Sequence, residues 1–179
     1  MKRLLFMDLE TSLRAREAKI SVIGQGYIGL PTSLLMARAG CTVCGFDINR
    51  DLIEEQSSGR SRLRGEKGIR GLLIRLKGKH YIPTYDLNDL HDSDVVLIAV
   101  PTPRGGNGPD LSMVLSALET ALGVVRRGGL IVIESTLPPR TFYDVIVPRI
   151  EAKGFSVGDD IYLAYCPERA LPGKLIYEL

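Results

Sequence analysis

Short apolar runs alternate with longer segments of helical spacing along most of the chain. Ile20, Val22 and Ile23 form a β-branched run suited to a strand covered on both faces, and the run stops at Gly24. Residues 28–39 carry Ile28, Leu34, Leu35, Met36 and Ala39 at helical positions. Pro31 falls in the first turn, where its missing N–H costs little, and Gly40 supplies the stop. A second strand is predicted over residues 42–46, and Asn49 or Asp51 caps a helix that reaches about Gln56. Residues 94–100, 130–133 and 161–165 repeat the buried-strand pattern. Helices are predicted between them over 111–122, with Asp110 as cap, and over 141–153, with a kink or break at Pro148. Strands and helices alternating at this pitch predict one α/β domain over residues 19–179, a doubly wound parallel sheet. Leu5, Leu9 and Leu13 would share a helical stripe, but residues 1–18 read as a frayed extension ahead of the domain.

Composition changes this picture little. The 179 residues suffice for one core, and 45% hydrophobic with 25% charged is ordinary globular usage. A net charge of +2 gives no whole-molecule field for nucleic acid. The positive charge is concentrated instead in residues 60–79, where eight basic side chains accompany Glu66 as the single acid. Glycines break that segment, while Leu72, Leu73, Ile74 and Leu76 give it an apolar side, so it reads as a loop with a short helix and a basic surface. No apolar run reaches the length of a membrane helix, and the expectation is a cytoplasmic protein. Cys41 and Cys44 are three apart around a strand and point to opposite faces, so neither a redox pair nor a metal site is expected.

The chemistry begins where the first strand stops. Gly24-Gln25-Gly26-Tyr27-Ile28-Gly29 fits G-x-G-x-x-G between a strand and a helix. The first glycine permits the tight turn, the second lets backbone approach a diphosphate, and the third allows close helix–strand packing. A side chain at Gly26 would fill the space the phosphates need. Asp47 ends the second strand eighteen residues after Gly29, close to the spacing at which a carboxylate takes the ribose hydroxyls of NAD, and it would repel the extra phosphate of NADP. Arg50, three residues on, argues the other way, since a nearby arginine can accept a 2′-phosphate; the reading favours NAD. Ligands of such Rossmann-like sheets bind beyond the carboxyl ends of the strands, and there the turn, Asp47, Thr102, Ser135, Thr136 and Glu168 all fall.

Four ordered segments carry a resemblance. VIGQGYIGLPTSLLMARAG, VPTP with the later PDLS, ESTLPPRT and YCPERALPGK are similar to the NAD-binding domain of the UDP-glucose/GDP-mannose dehydrogenases, over residues 19–179. The PER…PG form, with Pro172 where the glucose enzymes carry a second glutamate, resembles the branch that oxidises UDP-N-acetylmannosamine. The resemblance implies oxidation of the sugar C6 alcohol to a carboxylate in two NAD-dependent steps through a cysteine-bound intermediate. By position it implies that Gly24, Gly26, Tyr27, Ile28, Gly29, Asp47 and Arg50 meet the cofactor. Thr102 and Thr136 would line its nicotinamide side, with Thr136 and Glu168 catalytic. Arg140 stands where the family usually has glycine. The family's nucleophilic cysteine, UDP-binding domain and most of its oligomer contacts follow the PER…PG motif. Cys166 reads as a packed residue rather than that nucleophile, and the expectation is NAD binding without turnover by these residues alone. A competing reading is a free-standing dinucleotide-sensing or partner-binding module that works through residues 60–79.

Overall fold

A computed structural model describes residues 2–106, 108–170 and 173–179. Its six-stranded parallel sheet consists of β1 (Lys19–Ile23), β2 (Thr42–Phe46), β3 (Tyr81–Thr84), β4 (Ser93–Ile98), β7 (Val125–Ile133) and β8 (Tyr162–Tyr165), in the order β3-β2-β1-β4-β7-β8. Between β4 and β7 lie two-residue strands, β5 (Arg104–Gly105) and β6 (Gly108–Pro109), paired as a small antiparallel hairpin. The order reverses between β1 and β4, whose registers pair Ile20 with Val95 and Ile23 with Ile98; this is the switch point of a doubly wound Rossmann sheet.

Helices cover both faces. α2 (Gly29–Arg38), α4 (Ile69–Leu76) and α1 (Lys2–Ala15) contribute Leu34, Leu73 and Leu9 to one core cluster with Val22, Val43 and Leu97. α5 (Ser112–Val124) and α6 (Val147–Ala152) contribute Leu118 and Ile150 to the other, with Ile98 and Ile133. α3 (Arg50–Ser57) is capped by the Asn49 side chain, which accepts from the Leu52 N–H, and α7 (Leu175–Glu178) ends the chain.

Several expectations need correction. Residues 1–18 are not a frayed arm: α1 forms, and Leu9 is buried in the core. The sequence pattern missed β3, whose four residues include Pro83. As an edge strand it needs no amide at that position, and its sequence lacks the apolar run of an interior strand. The strand expected over 94–100 is therefore fourth in the sheet, not third. β7 starts five residues before the expected 130, with a register irregularity opposite Ser93 and Val95. The kink expected at Pro148 takes the form of a π-helical turn over Phe142–Ile146 immediately before α6, a local answer to the amide that proline lacks. Cys166 is exposed rather than packed. Pro172, on which the sugar branch was read, lies outside the described residues.

Candidate functional site: a dinucleotide cleft

Everything that shapes the glycine turn from below is buried. Gly24 takes φ +94°, and an added Cβ would sit 2.6 Å from the Ala99 carbonyl oxygen, so the turn can pass this close to β4 only as glycine. Gln25 points inward, its side-chain amide donating to Val22 O at 2.9 Å. The Tyr81 hydroxyl lies 2.9 Å from Gln25 Oε1 and 2.6 Å from Gln56 Oε1, and Gln56 Nε2 donates to Gln25 O. Gly45 leaves room for this arrangement, because a Cβ there would come within 2.5 Å of the Tyr81 ring. Burial pushes the Tyr81 phenol well above its ordinary value, so it remains a neutral hydroxyl in the network.

Above the turn, the sheet's carboxyl ends enclose a cleft of about 800 Å³. Gly24, Gly26, Tyr27 and Ile28 line its middle, over the start of α2, which has no side-chain cap. The first amides of that helix are thus free of side-chain competition, the arrangement suited to an anion. At Gly26 an added Cβ would meet no neighbour within 4 Å, so glycine is not demanded by packing there; the space belongs to the cleft. Gly29 is the reverse case. Its added Cβ would lie 1.7 Å from Gly24 O, and it does not line the cleft.

Asp47 stands at one end. Its Oδ2 accepts from the Gln25 N–H at 2.8 Å and its Oδ1 from the Asn49 N–H at 2.9 Å, which fixes the carboxylate against the turn and leaves acceptor capacity facing the cleft. Arg50 is not drawn in: it is exposed on the first turn of α3 and stacks over the Tyr85 ring at 4.9 Å, outside the cleft lining. At the other end are Thr102 after β4, Thr136 after β7 and Glu168 after β8. Ser135, also at this end, is structural. Its hydroxyl accepts from the Val100 N–H and donates to the Val100 carbonyl, tying the exit of β4 to the end of β7. Glu168 Oε1 accepts from the N–H groups of Arg169 and Ala170, folding the acid back onto its own turn.

Sequence reasoning missed two acids. Glu134, the residue after β7, lines the cleft, and its burial together with the nearby Glu168 carboxylate raises its pKa to about 7. The signal was there: a glutamate directly after a buried strand, on the sheet edge where ligands bind. Glu66, the lone acid of the basic segment, is buried. It accepts from the Tyr27 hydroxyl at 2.6 Å, from the Gly173 N–H at 2.5 Å and from the Leu175 N–H at 3.2 Å. These bonds hold its carboxyl below the ordinary range and push the Tyr27 phenol up. Around it the basic segment is partly structural, with Arg62 bridging Glu55 through two hydrogen bonds and α4 burying Ile69, Leu72, Leu73 and Leu76. Among the described residues no cluster of histidine, cysteine and acids is suited to a metal, and no helix is long and apolar enough to cross a membrane.

A glycine cradle open only at its middle residue, an uncapped helix start and a fixed carboxylate after the second strand define a dinucleotide-binding Rossmann domain. The chain belongs to the UDP-glucose/GDP-mannose dehydrogenase family, whose NAD-binding domain matches residues 18–179. It is 38% identical over 161 residues to the UDP-N-acetyl-D-mannosamine dehydrogenase of Pyrococcus horikoshii, covering 90% of this chain and 38% of that protein. With the enzyme of the same name from Methanococcus maripaludis the identity is 40% over 169 residues, covering 90% and 36%. The structure of the UDP-N-acetyl-mannosamine dehydrogenase of Staphylococcus aureus superposes with a TM-score of 0.83 at 39% identity, over 90% of this chain and 39% of that one. The chain thus spans less than two fifths of the length of these relatives.

Proposed function

We propose that this chain is the cofactor-binding part of an enzyme that oxidises the C6 alcohol of UDP-N-acetylmannosamine to the carboxylate. The observation that carries the reading is one cleft with Asp47 at one end, the glycine turn in the middle and Thr102, Thr136 and Glu168 at the other end. The names of the relatives support the choice of sugar. NAD, when bound, supplies the oxidant for both steps.

In this reading Gly26 and the start of α2 take the diphosphate, Tyr27 and Ile28 flank it, and Gly24 and Gly29 hold the shape of the turn. Asp47 accepts from the adenosine ribose hydroxyls and disfavours a 2′-phosphate by charge. Thr102 and Thr136 line the nicotinamide side. Glu168, at the same end of the cleft as Thr136, removes the alcohol proton and later orients water, tasks suited to a carboxylate that shares the site with a hydroxyl. Residues 19–179 form the domain, with 1–18 leading into it, and a reaction that draws on NAD and a nucleotide sugar belongs in the cytoplasm.

Calorimetric titration tests the cofactor assignment. NAD is expected to bind with a micromolar dissociation constant, about −8 kcal/mol, and NADP much more weakly. Replacing Asp47 with Asn is expected to weaken NAD about tenfold, the loss of one charge-assisted hydrogen bond, and to narrow the gap to NADP. No heat with millimolar NAD would overturn the cofactor reading, and equal binding of NADP would transfer control to Arg50. For the sugar, this domain joined to the remainder of the Pyrococcus horikoshii relative is expected to form NADH with UDP-N-acetylmannosamine in preference to UDP-glucose.

A further inference from the structure

Glu134 has no part in the scheme above, yet it is a half-buried acid lining the cleft. Its backbone N–H donates to Ile98 O and its carbonyl accepts from the Glu168 N–H at 3.4 Å, so the two glutamates stand side by side on adjoining strand ends. From α2 the Thr32 hydroxyl reaches Glu134 Oε2 at 3.5 Å, a weak contact; from the loop after β8 the facing charge is Glu168. Among the described residues, the charged ones lining the cleft are Asp47, Glu134 and Glu168, all acids with no base among them. Burial and the Glu168 carboxylate bring Glu134 to about 7, near half protonation at neutral pH.

Position says what this acid would meet. A dinucleotide lies across the switch point with one nucleoside on each side. With Asp47 on the β2 side for the adenosine ribose and Gly26 between, the nicotinamide belongs beyond β4 and β7, at the Glu134 end. The oxidised ring is a cation and the reduced ring is neutral, so only the oxidised form adds a positive charge beside a carboxyl in a poorly hydrated place.

We propose that Glu134 distinguishes the two redox states of the cofactor by exchanging one proton with solvent, standing as a carboxylate against the cationic nicotinamide and as a neutral carboxyl against the reduced ring. The inference rests on the NAD reading. The balance follows from the midpoint: well below it, binding of oxidised NAD would release close to one proton from Glu134 to the buffer, about half of one at neutral pH, and Glu134 would take the same amount back once the ring is neutral. An acid end with no cation of its own thereby holds the oxidised cofactor without accumulating negative charge after the ring is reduced.

The test is calorimetry of the chain with NAD and with NADH at pH 6, in two buffers of unlike ionisation heat, which counts protons. About 0.9 proton is expected to leave with NAD and close to none with NADH. NAD affinity is expected to rise about tenfold between pH 6 and pH 8 and that of NADH not to rise. Glu134→Gln should still bind NAD but lose both the released proton and the pH dependence, whereas Glu168→Gln should keep a proton release. Release of no proton with NAD, equal release with NADH, or undiminished release from Glu134→Gln overturns the inference while leaving NAD binding intact. No binding at all overturns the cofactor reading and this inference with it. Should Glu134→Gln not fold, carbon NMR of the native carboxyl decides: its titration midpoint must fall with NAD and not with NADH, and an unmoved midpoint overturns the proposal.

Discussion

Alanine at Gly26 and alanine at Gly29 are the same chemical change in opposite surroundings. Gly26→Ala adds a methyl group that meets no protein atom within 4 Å, so the unfolding free energy is expected to stay within about 0.5 kcal/mol of native while NAD affinity falls at least tenfold. Gly29→Ala drives its methyl to 1.7 Å from Gly24 O, and thermal unfolding should show a loss of about 2 kcal/mol or more from overpacking. A folded Gly26→Ala protein with native NAD affinity would remove the phosphates from this turn. Glu134 bears on stability as well as binding. Its folded pKa, about 7, exceeds the ordinary 4.5, so between these values the folded chain holds more proton than the unfolded one. Its contribution is therefore lost as pH rises from about 4.5 to 7. Glu134→Gln, neutral throughout, is expected to leave stability unchanged near pH 4 and raise it by about 3 kcal/mol at pH 8 in denaturant titrations; an equal effect at both values would contradict the assignment. The turn and Asp47 were legible because their spacing is local. The burial of Glu134 was not, since it arises where the ends of β4, β7 and β8 converge on α2.

At the scale of elements, the interior strands and the edge strand β8 announced themselves and the other edge, β3, did not. β1, β2 and β4 are apolar runs covered on both faces, whereas β3, reading Tyr-Ile-Pro-Thr, has neither an apolar run nor alternation. Its existence depends on pairing with β2, and its main contribution, Tyr81 beneath the glycine turn, is a tertiary fact. The loop from β7 to the π-helical turn shows a local rule broken. Arg140 takes φ +70°, where the L side chain costs about 1 kcal/mol, and its exposed pair with Asp144 returns only about 0.3–0.5 kcal/mol. Arg140→Gly is expected to raise the melting midpoint by about 1–2 °C in scanning calorimetry. A lower midpoint would mean that the Asp144 pair outweighs the backbone strain.

Taken whole, the molecule follows the alternation read from its sequence: two apolar layers on one sheet, with the cleft at the point where strand order reverses. α1 departed from that reading because Leu9 finds a partner surface only once the sheet exists, where it enters the same cluster as Leu34 and Val43, while Leu13 stays exposed. Segments distant in sequence also meet at Glu66, whose single carboxylate serves Tyr27, Gly173 and Leu175. If α7 peels away, that buried charge loses two of its donors and draws in water, and its hold on the Tyr27 hydroxyl weakens in the same event. Local opening of α7 and slackening of the phosphate turn are then one fluctuation with one equilibrium constant. Native-state hydrogen exchange should show it: Glu66→Ala is expected to speed exchange at the amides of α7 and of residues 26–30 together. Acceleration confined to α7 would show two independent motions. Gly173 and α7, 146 residues and more from Tyr27, would in that sense share a clock with the turn that opens the cleft.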